Sequence, residues 1–144
     1  MYTGRHALAL SIVLGAVAAC KNDKATGPSP TSIVGTWQAT KVQYVSTTGL
    51  GSVDVVAQGG SATLVLNSDQ TFSFTCSKCW SDKLLTGTWS VTDVLTLKMG
   101  TNNEMQFDAT LSGDALSLTG ADRDYDFNSD GKGEPGKLNI ALAR

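Results

Sequence analysis

Beyond Ile33, apolar and small polar residues alternate with a period of two, and the connectors between these runs are only a few residues long. Phe72 and Phe74, then Met105, Phe107, Ala109 and Leu111, then Leu138, Ile140 and Leu142 each fall on one face of an extended strand. No window shows convincing helical periodicity, so strands must dominate. The best runs are Ile33–Ser46, Val53–Ala57, Ala62–Asn67, Thr71–Cys76, Leu84–Val91, Val94–Met99, Met105–Leu111, Ala115–Thr119, Asp122–Phe127 and Lys137–Ala143. Connectors such as Asn67-Ser68-Asp69-Gln70, Thr92-Asp93 and Ser112-Gly113-Asp114 are hairpin-sized, which forces neighbouring strands to pair antiparallel. A meander with no helix to cover an exposed edge is best satisfied by closing on itself. The expected fold is all-β, an antiparallel up-and-down barrel of 8–10 strands.

The first 20 residues follow a different rule. A short polar head with Arg5 and His6 precedes an apolar run from Ala7 to Ala18, too short to cross a bilayer as a stable helix but suited to an export signal. Val17-Ala18-Ala19-Cys20 resembles the bacterial lipobox. That resemblance implies cleavage before Cys20, a diacylglyceryl group on its thiol and further acylation of the new amine, with palmitate-like chains. Two or three chains at about 0.8 kcal/mol per buried methylene anchor a protein where one chain would not. The organisation expected is a signal peptide over 1–19, a lipidated N-terminus and flexible tether over 20–32, and one barrel domain over 33–144. Lys21-Asn22-Asp23-Lys24 has no aspartate directly after the cysteine. By resemblance to sorting in enteric-type bacteria, this favours the outer membrane, facing the periplasm.

The residues before Cys20 hold one of the 11 Lys and Arg, none of the 13 Asp and Glu, and the single histidine. The processed chain is therefore mildly acidic, and nothing in it attracts nucleic acid.

Gly35-Thr36-Trp37 opens the first strand and Gly87-Thr88-Trp89 recurs mid-domain. With Leu66-Asn67-Ser68-Asp69-Gln70-Thr71-Phe72-Ser73-Phe74 and Leu111-Ser112-Gly113-Asp114-Ala115-Leu116-Ser117-Leu118, they form an ordered pattern over nearly all of 33–144. This pattern resembles the lipocalin-like domains of small bacterial lipoproteins. The resemblance implies that Gly35, Trp37, Gly87 and Trp89 are structural residues closing the barrel, and that an arginine from late in the chain, Arg144 being the candidate, covers a tryptophan. It also implies a small apolar ligand as the partner.

Cys76-Ser77-Lys78-Cys79 has three readings. Redox catalysis needs the pair at a helix start, and none is expected here. Zinc needs about four nitrogen or sulfur ligands, which the processed chain lacks. A loop disulfide remains, favoured in an oxidising periplasm.

Asp126-Phe127-Asn128-Ser129-Asp130-Gly131-Lys132-Gly133-Glu134 has the spacing of the first part of a calcium loop. Asp126, Asn128, Asp130 and Glu134 are its candidate ligands, but the twelfth position, which should be a bidentate glutamate, is Lys137. The competing reading is a polar turn without a metal, so no cofactor is required. With no histidine after Cys20, the abundant serines and threonines have no ordinary activating base. The expected function is a non-catalytic, membrane-anchored binding module. The alternative is an envelope structural or protein-interaction module whose barrel is packed solid by Trp37, Phe72, Phe74, Trp89, Met105, Phe107, Leu138 and Ile140.

Overall fold

A computed structural model describes residues 27–81 and 83–144. A four-residue helical turn, α1 (Pro30–Ile33), leads into nine strands. These are β1 (Gly35–Ser46), β2 (Ser52–Asp54), β3 (Ser61–Leu66), β4 (Thr71–Ser77), β5 (Leu84–Val91), β6 (Leu95–Lys98), β7 (Glu104–Ser112), β8 (Ala115–Asp122) and β9 (Gly136–Ala143). All pairings are antiparallel, and β1, β3, β4, β5, β6, β7, β8 and β9 follow one another around the sheet. Pairing of β1 with β9, from Gln38↔Ala143 to Ser46↔Gly136, closes it into an eight-stranded barrel. The short β2 lies outside the ring, on the second half of β1.

The alternation read from the sequence is the alternation of burial. Strand β3 places Ala62, Leu64 and Leu66 inside, β4 places Phe72, Phe74 and Cys76, and β9 places Leu138, Ile140 and Leu142. Each such leucine or phenylalanine, fully buried, contributes about 1.5–3 kcal/mol. Among the described residues, the closed ladder leaves no long strand edge free to recruit another chain.

The elements differ from expectation in three places. The expected strand Val53–Ala57 is cut to the short β2, because the Asp54 carboxylate accepts from the Val56 and Ala57 N–H groups and turns the chain. Ile33 belongs to α1 rather than to the first strand, and α1 occupies the last residues assigned to a tether. Proline at the helix start explains this: its fixed φ suits a first turn, and Ser32 secures the turn by donating from its hydroxyl to the Ser29 carbonyl at 2.7 Å. The expected strand Asp122–Phe127 is not one. β8 runs through Gly120 by a bulge and ends at Asp122, after which Tyr125 and Glu134 form a single bridge. Asp126, Asn128 and Asp130 accept main-chain hydrogen bonds beyond that point, so local turns outcompete the ladder.

Candidate functional site

The two ends of the barrel are built differently. At the end where β1 and β4 begin, Trp37 is fully buried and its indole N–H donates to the Ile33 carbonyl at 2.8 Å. Trp89 is nearly as buried and donates to the Asn67 carbonyl at 3.0 Å. The Arg144 guanidinium lies 4.4 Å from the centre of the Trp37 ring and donates to the Ser32 carbonyl at 3.2 Å and the Val34 carbonyl at 3.4 Å. Arg144 thus binds α1 to the plug that Trp37 makes. The glycines serve two purposes. Gly35 has φ +141°, which a side chain strains, while a Cβ on Gly87 would lie 2.9 Å from the Lys98 carbonyl carbon and 3.1 Å from the Phe72 ring. The second of these is the close crossing of β5 with its neighbours.

Between the ends the inner face is packed. Trp37, Phe107, Leu64, Leu95 and Leu118 are 0 % exposed, and Phe72, Phe74, Trp89, Met105, Leu138 and Ile140 are at most 4 %. A ligand cavity of roughly 300 Å³ or more would leave its lining side chains open to any water inside it. Among the described residues, these side chains instead touch one another. A cleft of about 430 Å³ exists on the outer face, where Glu104, Gln106 and Asp108 of β7 face Thr119 and Asp122 of β8.

At the other end, the mouth, three connections converge: 55–60, 78–83 and 123–135. The first tucks Val55 inward at 0 % exposure, and the Asp54 carboxylate holds its turn by accepting from the Val56 and Ala57 N–H groups at 3.0 and 3.3 Å. In the second, Cys76 and Cys79 form a disulfide, Cα–Cα 5.7 Å, and both are buried. Lys78 ties this ring to the first connection by donating from Nζ to the Gln58 carbonyl at 2.9 Å. The third covers the mouth with rings: Tyr125 stacks on Tyr44 at 4.6 Å and meets Phe127 at 5.2 Å.

The acidic turn lies in this third connection. Oxygens of Asp126, Asp130 and Glu134 converge to within 4.8 Å of one another. Asn128 is turned to another task, its side-chain oxygen accepting the Asp130 N–H at 2.9 Å. Asp126 accepts from Asp130 and Gly131, both at 3.0 Å, and Glu134 from the Phe127 N–H at 2.7 Å. Lys137, at the place of the missing glutamate, pairs with Asp122 at 2.6 Å. The carboxylates therefore order the turn through main-chain donors.

The second and third connections meet across the mouth and leave a polar cleft of about 260 Å³ between them, lined by Trp80, Ser81, Arg123, Asp124 and Gly133. Trp80 is 40 % exposed there, unlike the other two tryptophans. Sequence reading missed this cleft because its walls are some forty residues apart along the chain. The available signal was an indole directly after a ring-closing cysteine in an otherwise polar loop.

Cys20 lies outside the described residues. No curated protein and no solved structure matches the chain. A family profile described as a lipocalin-like domain matches residues 33–118, from the end of α1 into the first half of β8, and with the closed eight-stranded barrel this places the chain in the lipocalin-like domain family.

Proposed function

We propose that this protein is a lipid-anchored lipoprotein of the bacterial envelope whose lipocalin-like barrel is a non-catalytic binding module. The packed barrel is its scaffold, and the mouth is its binding surface. The lipocalin-like fold supports small-ligand binding. The observation that carries the assignment to the mouth is the packing of the inner face, with Trp37, Leu64, Leu95, Phe107 and Leu118 all at 0 % exposure. A small apolar ligand approaching this barrel meets the half-buried rings of Tyr125 and Phe127 at the rim before it meets any space.

The anchor reading rests on Val17-Ala18-Ala19-Cys20. Gly27 lies at the plugged end of the barrel, a Cβ there falling 3.5 Å from the Thr92 and Asp93 carbonyl oxygens. Seven residue steps from Cys20 to Gly27 span about 25 Å at most. An acylated Cys20 would thus hold the plugged end toward the bilayer and leave the mouth facing the aqueous compartment, by our reading the periplasm beneath the outer membrane.

Native mass spectrometry of protein purified from its own membrane tests this. The expected mass is the chain from Cys20 with two or three acyl groups, together with a retained small molecule. An unacylated chain refutes the anchor. A co-purifying protein in place of a small molecule supports the interaction-module alternative.

A further inference from the structure

Strand β7 outruns its neighbour. Its pairing with β6 stops at Leu95↔Phe107, yet β7 continues to Ser112 with β8 as its only ladder partner among the described residues. This leaves 108–112 as a short open edge. The two-residue turn Gly113-Asp114 makes Ser112 and Ala115 a hydrogen-bonded pair, so by alternation the N–H and C=O groups of Ala109 and Leu111 point away from β8. They face a groove of about 420 Å³, walled by 108–111 of β7 on one side and by Asp93, Gly27 and Pro28 on the other. The same opening shows in the burial along β7. Met105 and Phe107 are buried, while Ala109 and Leu111, on the same inner face, are only half-buried.

We propose that this groove is the docking site of the chain's own residues 21–26, which add a short strand to the open edge of β7. The inference is independent of the mouth as a binding surface and of the lipid on Cys20. It needs only the sequence that precedes Gly27.

The place where the described chain begins is the first support. Gly27 stands in the groove wall, a Cβ on it falling 3.5 Å from the Thr92 and Asp93 carbonyl oxygens, so residue 26 departs from the groove itself. Pro28 favours an extended Gly27, the conformation that a strand continues. Six extended residues span about 20 Å, against about 13 Å for the open edge. The segment is long enough to cover it.

Charge is the second support. The groove walls carry Asp93 and Asp108 and no cation, while 21–26 reads Lys-Asn-Asp-Lys-Ala-Thr, two lysines to one aspartate. Opposite charges therefore meet. The third support is the chemistry of an edge. Residues 21–26 contain no proline, so every one brings the N–H and C=O that Ala109 and Leu111 lack as partners, and none is an apolar residue larger than alanine that needs burial of its own. Lysines on the new outer edge then discourage a further strand.

Other occupants fit less well. A second copy pairing through the same edge would set Asp93 and Asp108 of both chains against each other. An outside peptide competes with a segment joined directly to the groove wall, whose effective concentration is on the order of millimolar. Docked, the segment ties position 20 to the β7 side of the plugged end.

Carbodiimide coupling of the full protein, purified from its own membrane in detergent, joins lysine amines to carboxylates in direct contact. Peptide mass spectrometry should find Lys21 or Lys24 joined to Asp93 or Asp108, and in an equal mixture of ¹⁴N and ¹⁵N protein each joined pair should carry a single isotope. Amide hydrogen exchange followed by NMR reads the ladder. Lys24→Pro combined with Ala25→Pro removes donors from both faces of the segment, and the Ala109 and Leu111 amides should then exchange about 10-fold faster. Unchanged exchange along β1 and β9 verifies that the variant is folded. The proposal is overturned if Ala109 and Leu111 exchange equally fast in both proteins, or if neither lysine is joined to Asp93 or Asp108. Joined pairs of mixed isotope overturn it as well, by assigning the edge to a second copy.

Discussion

Replacing Gly87 by alanine probes the tightest crossing in the barrel. The added methyl carbon would sit 2.9 Å from the Lys98 carbonyl carbon, closer still to its oxygen, and 3.1 Å from the Phe72 ring. The Lys98 contacts are backbone atoms and cannot rotate away. Relief requires β5 and β6 to separate near Thr88↔Lys98, which costs the ladder hydrogen bonds there and displaces Phe72. Loss of two such bonds at about 1 kcal/mol each, plus 1–2 kcal/mol for disturbed packing, gives about 3–4 kcal/mol. For a domain of this size, 1 kcal/mol moves Tm by about 5 °C, so Tm should fall by about 15–20 °C. Thermal unfolding followed by far-ultraviolet circular dichroism measures this. Gly35→Ala is the companion variant, because its Cβ would meet only Arg144 at 3.7 Å and its penalty is the backbone φ of +141° alone. A Gly87→Ala protein melting within about 3 °C of the parent would refute the steric argument.

Arg144→Ala removes the cation over Trp37 and the hydrogen bonds to Ser32 of α1 and to Val34 just after it, and should lower Tm by about 5–10 °C, a loss of about 1–2 kcal/mol; Arg144→Lys, which lacks the planar fork, should recover less than half of it. Asp69 accepts from the Thr71 hydroxyl at 2.6 Å and from its N–H at 3.0 Å, and these bonds hold its carboxyl below the ordinary value of 3.8. A pKa depressed by folding gives stability that is present above the unfolded value and lost as pH falls through the folded one. A carboxyl carbon titration should therefore place Asp69 below free aspartate, and Thr71→Val should raise its midpoint; a midpoint unchanged by that substitution would show that Thr71 is not the cause. The carboxylates of Asp126, Asp130 and Glu134 are already occupied by main-chain donors, and Lys137 replaces the bidentate ligand. Millimolar calcium should leave Tm unchanged, and a rise of several degrees reversed by chelator would show that the turn takes up a cation after all.

The barrel was legible because period-two alternation is a local property: Phe72 and Phe74, or Leu138, Ile140 and Leu142, declare their shared face without reference to any other strand. Cys76 and Cys79 were legible for a similar reason, since three residues of separation bring the two thiols together in one hairpin. The stretch from Asp122 to Phe127 misled because its alternation is real while Asp126, with Asn128 just beyond the stretch, accepts main-chain hydrogen bonds within its own turn. The helical turn at Pro30–Ile33 is too short to show periodicity, and only its proline announced it. Of the Trp80 cleft only one wall had a local signal, the indole directly after Cys79; no local pattern states that Trp80 will stand opposite Gly133.

The pairing of β1 with β9 also bears on assembly. The closing seam joins residues about a hundred positions apart, so it is the least local pairing in the barrel and carries the largest loop-closure cost. Until β9 arrives, β1 and β8 each present a bare row of amide groups, and Trp37 lacks the lid that Arg144 provides. On the export proposed for this chain, such a seam would keep the barrel from sealing while its final strand is still on the other side of the membrane. The barrel closes only when β9 is in place, and a chain cut short of β9 would leave the edges of β1 and β8 bare.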